Sequence, residues 1–208
     1  MQLSPGHFNR FLSGIGQDTL WRKSDACPCI SPHSGAANPA CPHCSGKGRI
    51  WQAAVSGRVG VSSMHAKRQY AVFGIFEAGD LLLTLPSDSP LYAMGQFDQV
   101  RLTGATQPFS VILEKGVRDD LQFHPESIAR VFWISGTEIV ESAARDVVDL
   151  HIDWGDETEP PAGQNYSVTG RWNPDYFVYQ ELPTERAHHG GLPLPRRVVL
   201  RRFDLFGR

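Results

Sequence analysis

Gly79-Asp80-Leu81-Leu82-Leu83-Thr84-Leu85-Pro86-Ser87-Asp88 is a short, mostly apolar run closed at both ends by turn residues. Five residues are too few for a stable helix and ordinary for a strand, and Gly-Asp and Pro-Ser-Asp are strong breakers. The same texture recurs on both sides. Runs rich in Val, Ile, Phe and Tyr cover residues 55–61, 69–77, 99–103, 109–114, 128–134, 139–144, 147–154, 166–169, 175–181 and 197–203. Residues 138–148 also admit a reading as one or two helical turns. With 20 Gly and 15 Pro in 208 residues, punctuation is frequent and long helices are disfavoured. These features predict a mainly β protein with a barrel- or sandwich-like body. No repeat of fixed period is present.

One short helix is expected near the start. Ser4 suits an N-cap, Pro5 suits the first helical position, and Phe8, Phe11, Leu12 and Ile15 recur at helical spacing. Gly14 and Gly16 end it. Residues 24–47 then carry few apolar side chains and much Pro, Gly, Ser and Cys, so burial alone cannot fold them. An N-terminal arm over residues 1–50 and a β-rich body over 51–208 follow as the expected division.

All four cysteines fall in that polar stretch: Cys27, Cys29, Cys41 and Cys44. The second pair sits in Cys41-Pro42-His43-Cys44-Ser45-Gly46-Lys47-Gly48, the C-x-x-C-x-G-x-G form of a zinc knuckle. Two thiolates at i and i+3 on a tight turn can reach one ion at about 2.3 Å, and the glycines let backbone amides face the sulfurs. Cys27-Pro28-Cys29 is closer than the usual gap but converges if the chain turns. Together they point to one structural Zn²⁺ with no open position for catalysis. Unligated thiols and disulfides are the alternatives, and His33 or His43 could replace Cys27 or Cys29 as a ligand.

Other groups suggest less. His188-His189-Gly190-Gly191 falls in an expected open loop over residues 184–195, and adjacent histidines in a strand face opposite ways. Asp149, Asp153, Asp156, Glu157 and Glu159 lack the ordered spacing of a calcium loop and suit a solvated or mating face. The tail alternates Arg196, Arg197, Arg201 and Arg202 with Val198, Val199, Leu200 and Phe203, a mixture typical of a protein interface. No nucleophile elbow, phosphate loop or Cys–His pair appears, so no catalytic residues and no organic cofactor are assigned. Twenty basic against 22 acidic residues argue against a protein that coats nucleic acid. No stretch reaches the ~18 apolar residues of a membrane span, and no signal peptide is expected.

Several blocks carry a resemblance. Phe8-Asn9-Arg10-Phe11, Gly16-Gln17-Asp18-Thr19-Leu20-Trp21-Arg22, Cys27-Pro28-Cys29 and Asn38-Pro39-Ala40-Cys41-Pro42-His43-Cys44-Ser45-Gly46-Lys47-Gly48 occur in that order. They are followed by Gly79–Pro86, Gly170–Val178 and Leu194–Arg202. This order resembles small virion proteins of tailed bacteriophages that sit at the head–tail junction, as neck, collar or connector components. The resemblance implies a zinc-stabilised N-terminal segment, a β-rich body and incorporation into a symmetric ring. Expected partners are copies of the chain itself, the portal or connector, and tail structural proteins, with no membrane and no sequence-specific nucleic acid. The expected location is the virion, assembled in the host cytoplasm. A tail-terminator or baseplate component is the alternative within phage structure, and a zinc-ribbon nucleic-acid-binding protein the alternative outside it.

Overall fold

The computed structural model describes residues 4–62, 79–182 and 188–206. The protein is mainly β, with one short N-terminal helix. No helix among the described residues is long and apolar enough to cross a membrane. The strand expected over residues 69–77 lies outside the described residues.

The chain divides into two compact units, Met1–Gly104 with Asp175–Arg208, and Ala105–Pro174. The division expected at residue 50 falls inside the first of these units. The cysteine segment belongs to the first unit because barrel strands flank it on both sides, and the second unit is an insertion later in the chain.

The first unit is a closed antiparallel barrel of six strands. These are β1 (Gln17–Arg22), β4 (Val55–Ser62), β5 (Leu81–Leu85), β16 (Arg196–Arg202), β13 (Asp175–Glu181) and β6 (Gln99–Leu102), and β6 pairs back onto β1. Two patterns build it. In β6 the alternation is of period two, with Val100 and Leu102 buried between partly exposed neighbours. In β5 and β16 consecutive residues are buried, Leu82 with Leu83 and Val198 through Leu200, because both faces are covered. Leu182 and Tyr179 pack on Leu82 and Val199.

The strand expected to serve as a C-terminal interface is therefore a central element of the barrel. β16 is hydrogen-bonded to β5 on one side and β13 on the other. Two of its arginines meet acids of the same unit. Arg201 meets the fully buried Asp80 at 3.1 Å and lies 3.8 Å over the Tyr179 ring, and Arg196 pairs with Glu181 at 2.8 Å.

Helix α1 (Pro5–Ile15) starts with Pro5 at its first turn and closes with the Gly16 N–H donating to Leu12 O at 2.8 Å. It packs through Leu12, over Gly60, where an added Cβ would come within 2.6 Å of the Leu12 methyl. Asn9 is buried and bonded to Ser87. Phe8, Phe11 and Ile15 stay outside, Phe11 and Ile15 at 60 and 61 % exposure.

The second unit is a four-stranded antiparallel sheet in the order β7 (Gln107–Glu114), β12 (Asn165–Trp172), β8 (Pro125–Ser135), β9 (Glu138–Ser142). A two-stranded ribbon, β10 (Asp146–Val148) and β11 (His151–Asp153), follows, so residues 138–148 are extended and not helical. One sheet face carries Leu113, Ile128, Val131, Trp133, Tyr166 and Val168, packed with Leu121, Ile152 and Trp154. The buried Tyr166 hydroxyl donates to Asp119, and burial first and this bond second hold its pKa far above the usual phenol value. The other face leaves Ile112 and Ile139 at 71 and 60 % exposure.

At Gly170, where the β12–β8 register shifts, an added Cβ would lie 2.1 Å from the Ser127 carbonyl oxygen. Backbone cannot swing aside as a side chain can. Gly170→Ala is expected to destabilise the second unit by about 3 kcal/mol, the upper end of ordinary overpacking. Urea denaturation followed by hydrogen exchange in residues 105–174 measures it; a change below about 1 kcal/mol would contradict the close approach.

Candidate metal centre

Two antiparallel strands, β2 (Ser24–Ala26) and β3 (Arg49–Trp51), continue beyond the β1–β4 pair and carry the cysteine segment at their end. The Cys27 N–H extends this ladder by donating to Gly48 O at 2.9 Å. Beyond it the chain is a succession of turns. Ile30 N–H returns to Cys27 O, Gly35 N–H to Ser31 O, Ser45 N–H to Cys41 O and Lys47 N–H to Cys44 O. Asn38 starts the knuckle, its side chain accepting from Ala40 N–H at 3.0 Å. Ser45, Gly46 and Gly48 all have positive φ, and a Cβ at Gly46 would press on the Pro39 backbone at 3.2 Å. The glycines of the motif are thus needed for the turn itself.

These turns bring the four sulfurs together. All four Sγ atoms lie within 4.8 Å of one another, Cys27 and Cys41 at 3.8 Å and Cys29 and Cys44 at 3.5 Å. No disulfide joins them, since S–S bonds are about 2.05 Å long. Around an ion bound tetrahedrally at about 2.3 Å, the ligand sulfurs would stand about 3.8 Å apart. The observed spacing fits that geometry. Cys27, Cys41 and Cys44 are buried and Cys29 half-buried, although the segment holds almost no other apolar core.

Backbone amides face the sulfurs. Gly48 N–H donates to Cys44 Sγ at 3.3 Å. The N–H groups of Cys44 and His43 reach Cys41 and lower its pKa to about 6, which favours its thiolate. At Cys29 the Asn38 amide acts in the same direction, but burial and the three other sulfurs outweigh it and push the value up to about 12. One thiolate is favoured and further charge is resisted, which is the electrostatic demand that a divalent cation satisfies.

His33 and His43 are exposed and stand outside the group of four. Among the described residues, no other set of three or more His, Cys, Asp or Glu groups converges. The acidic stretch is dispersed: Asp153 accepts from Gly155 N–H, and Glu159 pairs with Lys115 at 3.0 Å. His188 and His189 form a two-residue strand, β14, paired with β15 (Leu192–Pro193) around Gly190 and Gly191, both at positive φ. Of the loop expected over residues 184–195, the part described is thus a tight hairpin.

Sequence reasoning missed what seats the cysteine hairpin. Asp98, 2 % exposed, accepts from Trp21 Nε1 at 2.7 Å, Ser24 N–H at 2.8 Å and Gly95 N–H at 2.7 Å, tying the base of the hairpin to the turn before β6. Next to it Phe97 holds φ +72°; its N–H donates to Val178 O, and its carbonyl accepts from Trp51 Nε1. Apart from Gly95, three residues from Asp98, the contributing residues lie 46 to 81 positions apart, and no local pattern announces them.

Compared with known proteins, the chain matches no family model and no curated protein.

Proposed function

We propose that the protein is a structural virion component at the head–tail junction of a tailed phage, assembling as a ring between the portal side and the tail. Cys27, Cys29, Cys41 and Cys44 hold one structural Zn²⁺ in this reading. The observation that carries it is the four-sulfur cluster set between two adjacent strands of a closed barrel, within residue blocks whose order resembles that virion group. Four sulfur ligands leave no open position on the ion, so the metal shapes the segment and does no chemistry.

A ring of identical copies needs two different surfaces on each copy. Among the described residues, two exposed apolar faces suit this role. One is the Phe8–Phe11–Ile15 face of α1; the other is the open sheet face bearing Ile112, Ile134 and Ile139. Exposed apolar faces of this kind mark surfaces that an assembly covers.

The nucleic-acid reading loses support at its own residues. Lys47 and Arg49 lie over the protein's Phe203 and Phe97 rings, and Trp51 packs on Phe203 and Phe206. Of Lys23, Lys47, Arg49 and Trp51, the basic and aromatic residues nearest the knuckle, the last three are thus engaged with the protein itself.

Immunogold electron microscopy of purified virions, with native mass spectrometry of the isolated protein, tests the proposal. Label at the head–tail junction and a ring-sized homo-oligomer are expected. Label at the tail tip would overturn the assignment in favour of the baseplate, and absence from the particle would end the virion reading.

A further inference from the structure

We propose that strand β3 couples the sulfur cluster to the C-terminal aromatic turn, so that metal binding clamps residues 203–206 and metal loss frees them. The inference rests on the reading that the four cysteines hold a metal ion, and it concerns what that ion controls.

Gly48 is the link. Its N–H donates to Cys44 Sγ, and its carbonyl accepts from Cys27 N–H, so it is bonded to two of the four cysteines. Lys47 N–H is bonded to Cys44 O. Fixing the sulfurs therefore fixes where residues 47 and 48 lie. From Arg49 the chain is extended, and Arg49 and Trp51, two residues apart, share a face. These two, and Lys47 just before the positive-φ Gly48, each meet an aromatic ring. Lys47 Nζ stands 4.9 Å over Phe203, Arg49 lies 4.3 Å over Phe97, and Trp51 sits edge-on to Phe203 at 5.3 Å and Phe206 at 5.6 Å. One short strand is read by the sulfur cluster at its start and by the aromatic group along its side.

The receiving element is poised to respond. Residues Phe203–Leu205 form a single 3₁₀ turn closed by the Phe206 N–H to Phe203 O, with the two rings stacked 5.6 Å apart. None of its side chains is fully buried. Its other described anchors are Phe177 and Phe97 against Phe206 and an exposed Arg202–Asp204 ion pair. A single turn held by a few half-exposed rings belongs to the low-stability end of a structure. Losing the Lys47 and Trp51 contacts removes two of the three described ring contacts of Phe203 and leaves its stacking on Phe206.

Hydrogen–deuterium exchange with mass spectrometry on the full chain tests this, in zinc-loaded, chelator-treated and zinc-restored protein. The expected result is at least tenfold faster exchange at residues 203–206 after chelation, reversed by zinc. Lys47→Ala, at an exposed position, is expected to give several-fold faster exchange there while native mass spectrometry still shows bound zinc. If zinc leaves and returns, changing exchange in residues 27–48 but not in 203–206, the coupling is wrong while the metal site stands. If added zinc never changes the native mass, the metal reading fails and the coupling with it.

Discussion

With the four cysteines holding zinc as proposed, chelating it, or replacing Cys41 by serine, is expected to unfold residues 27–48 and to lower the melting temperature of the barrel by about 6–12 °C. The segment has almost no apolar core apart from its sulfurs. A structural zinc site of this kind supplies about 10–16 kcal/mol of apparent binding energy in small zinc domains, and here little else is available to replace it. The barrel responds less, because its own core does not depend on the ion. Without the metal, β1 and β4 are joined by a 32-residue connection that lacks its main order. Closing a loop of that length costs about 3 kcal/mol, which sets the scale of the temperature shift for a unit of this size. Differential scanning calorimetry with and without a zinc chelator measures it. An unchanged transition, with exchange protection retained in residues 27–48, would mean that the turns hold the sulfurs unaided.

Arg201→Ala should cost about 3–5 kcal/mol, for a different reason. Asp80 is fully buried and Arg201 nearly so, with two contacts of 3.1 and 3.4 Å between them. Bringing two charges out of water is expensive, and their attraction compensates only while both are present. Truncating the arginine leaves a buried carboxylate without the guanidinium and strips the ring of Tyr179 of its cation. The double variant Asp80→Leu with Arg201→Met removes both charges and should recover most of the loss. Urea unfolding of the two variants, compared with the parent protein, decides the matter. A cost under about 1 kcal/mol for Arg201→Ala would show that the pair behaves like a surface ion pair.

The parts of this fold that could be read from the sequence are those set by neighbouring residues. Leu81–Leu85 and Asp175–Glu181 have the expected bounds because turn residues delimit each run. The α1 start was legible in Ser4-Pro5, and the convergence of the cysteines was legible in residue type and spacing, since few other chemistries need four thiols within 18 residues. β1 was not legible. Gln17-Asp18-Thr19-Leu20-Trp21-Arg22 buries only Thr19 and Trp21 and has Leu20 as its one other apolar residue, so its pairing with β4 and β6 is a tertiary fact. The same holds for the insertion of the second unit. β6 and β13 are partners joined by the Arg101–Asp175 pair at 2.6 Å, yet about 70 residues separate them along the chain. That β16 closes the barrel was not legible either, because alternating arginines and aliphatics look the same at an interface and in a barrel strand whose arginines meet acids of the same unit.

X-ray absorption spectroscopy of the purified, fully reduced protein, with elemental analysis of the same sample, bears most directly on the four-sulfur site. One zinc per chain with four sulfur neighbours at about 2.3 Å is the predicted result. A folded, metal-free chain, or a zinc shell containing nitrogen or oxygen in place of a sulfur, would contradict it.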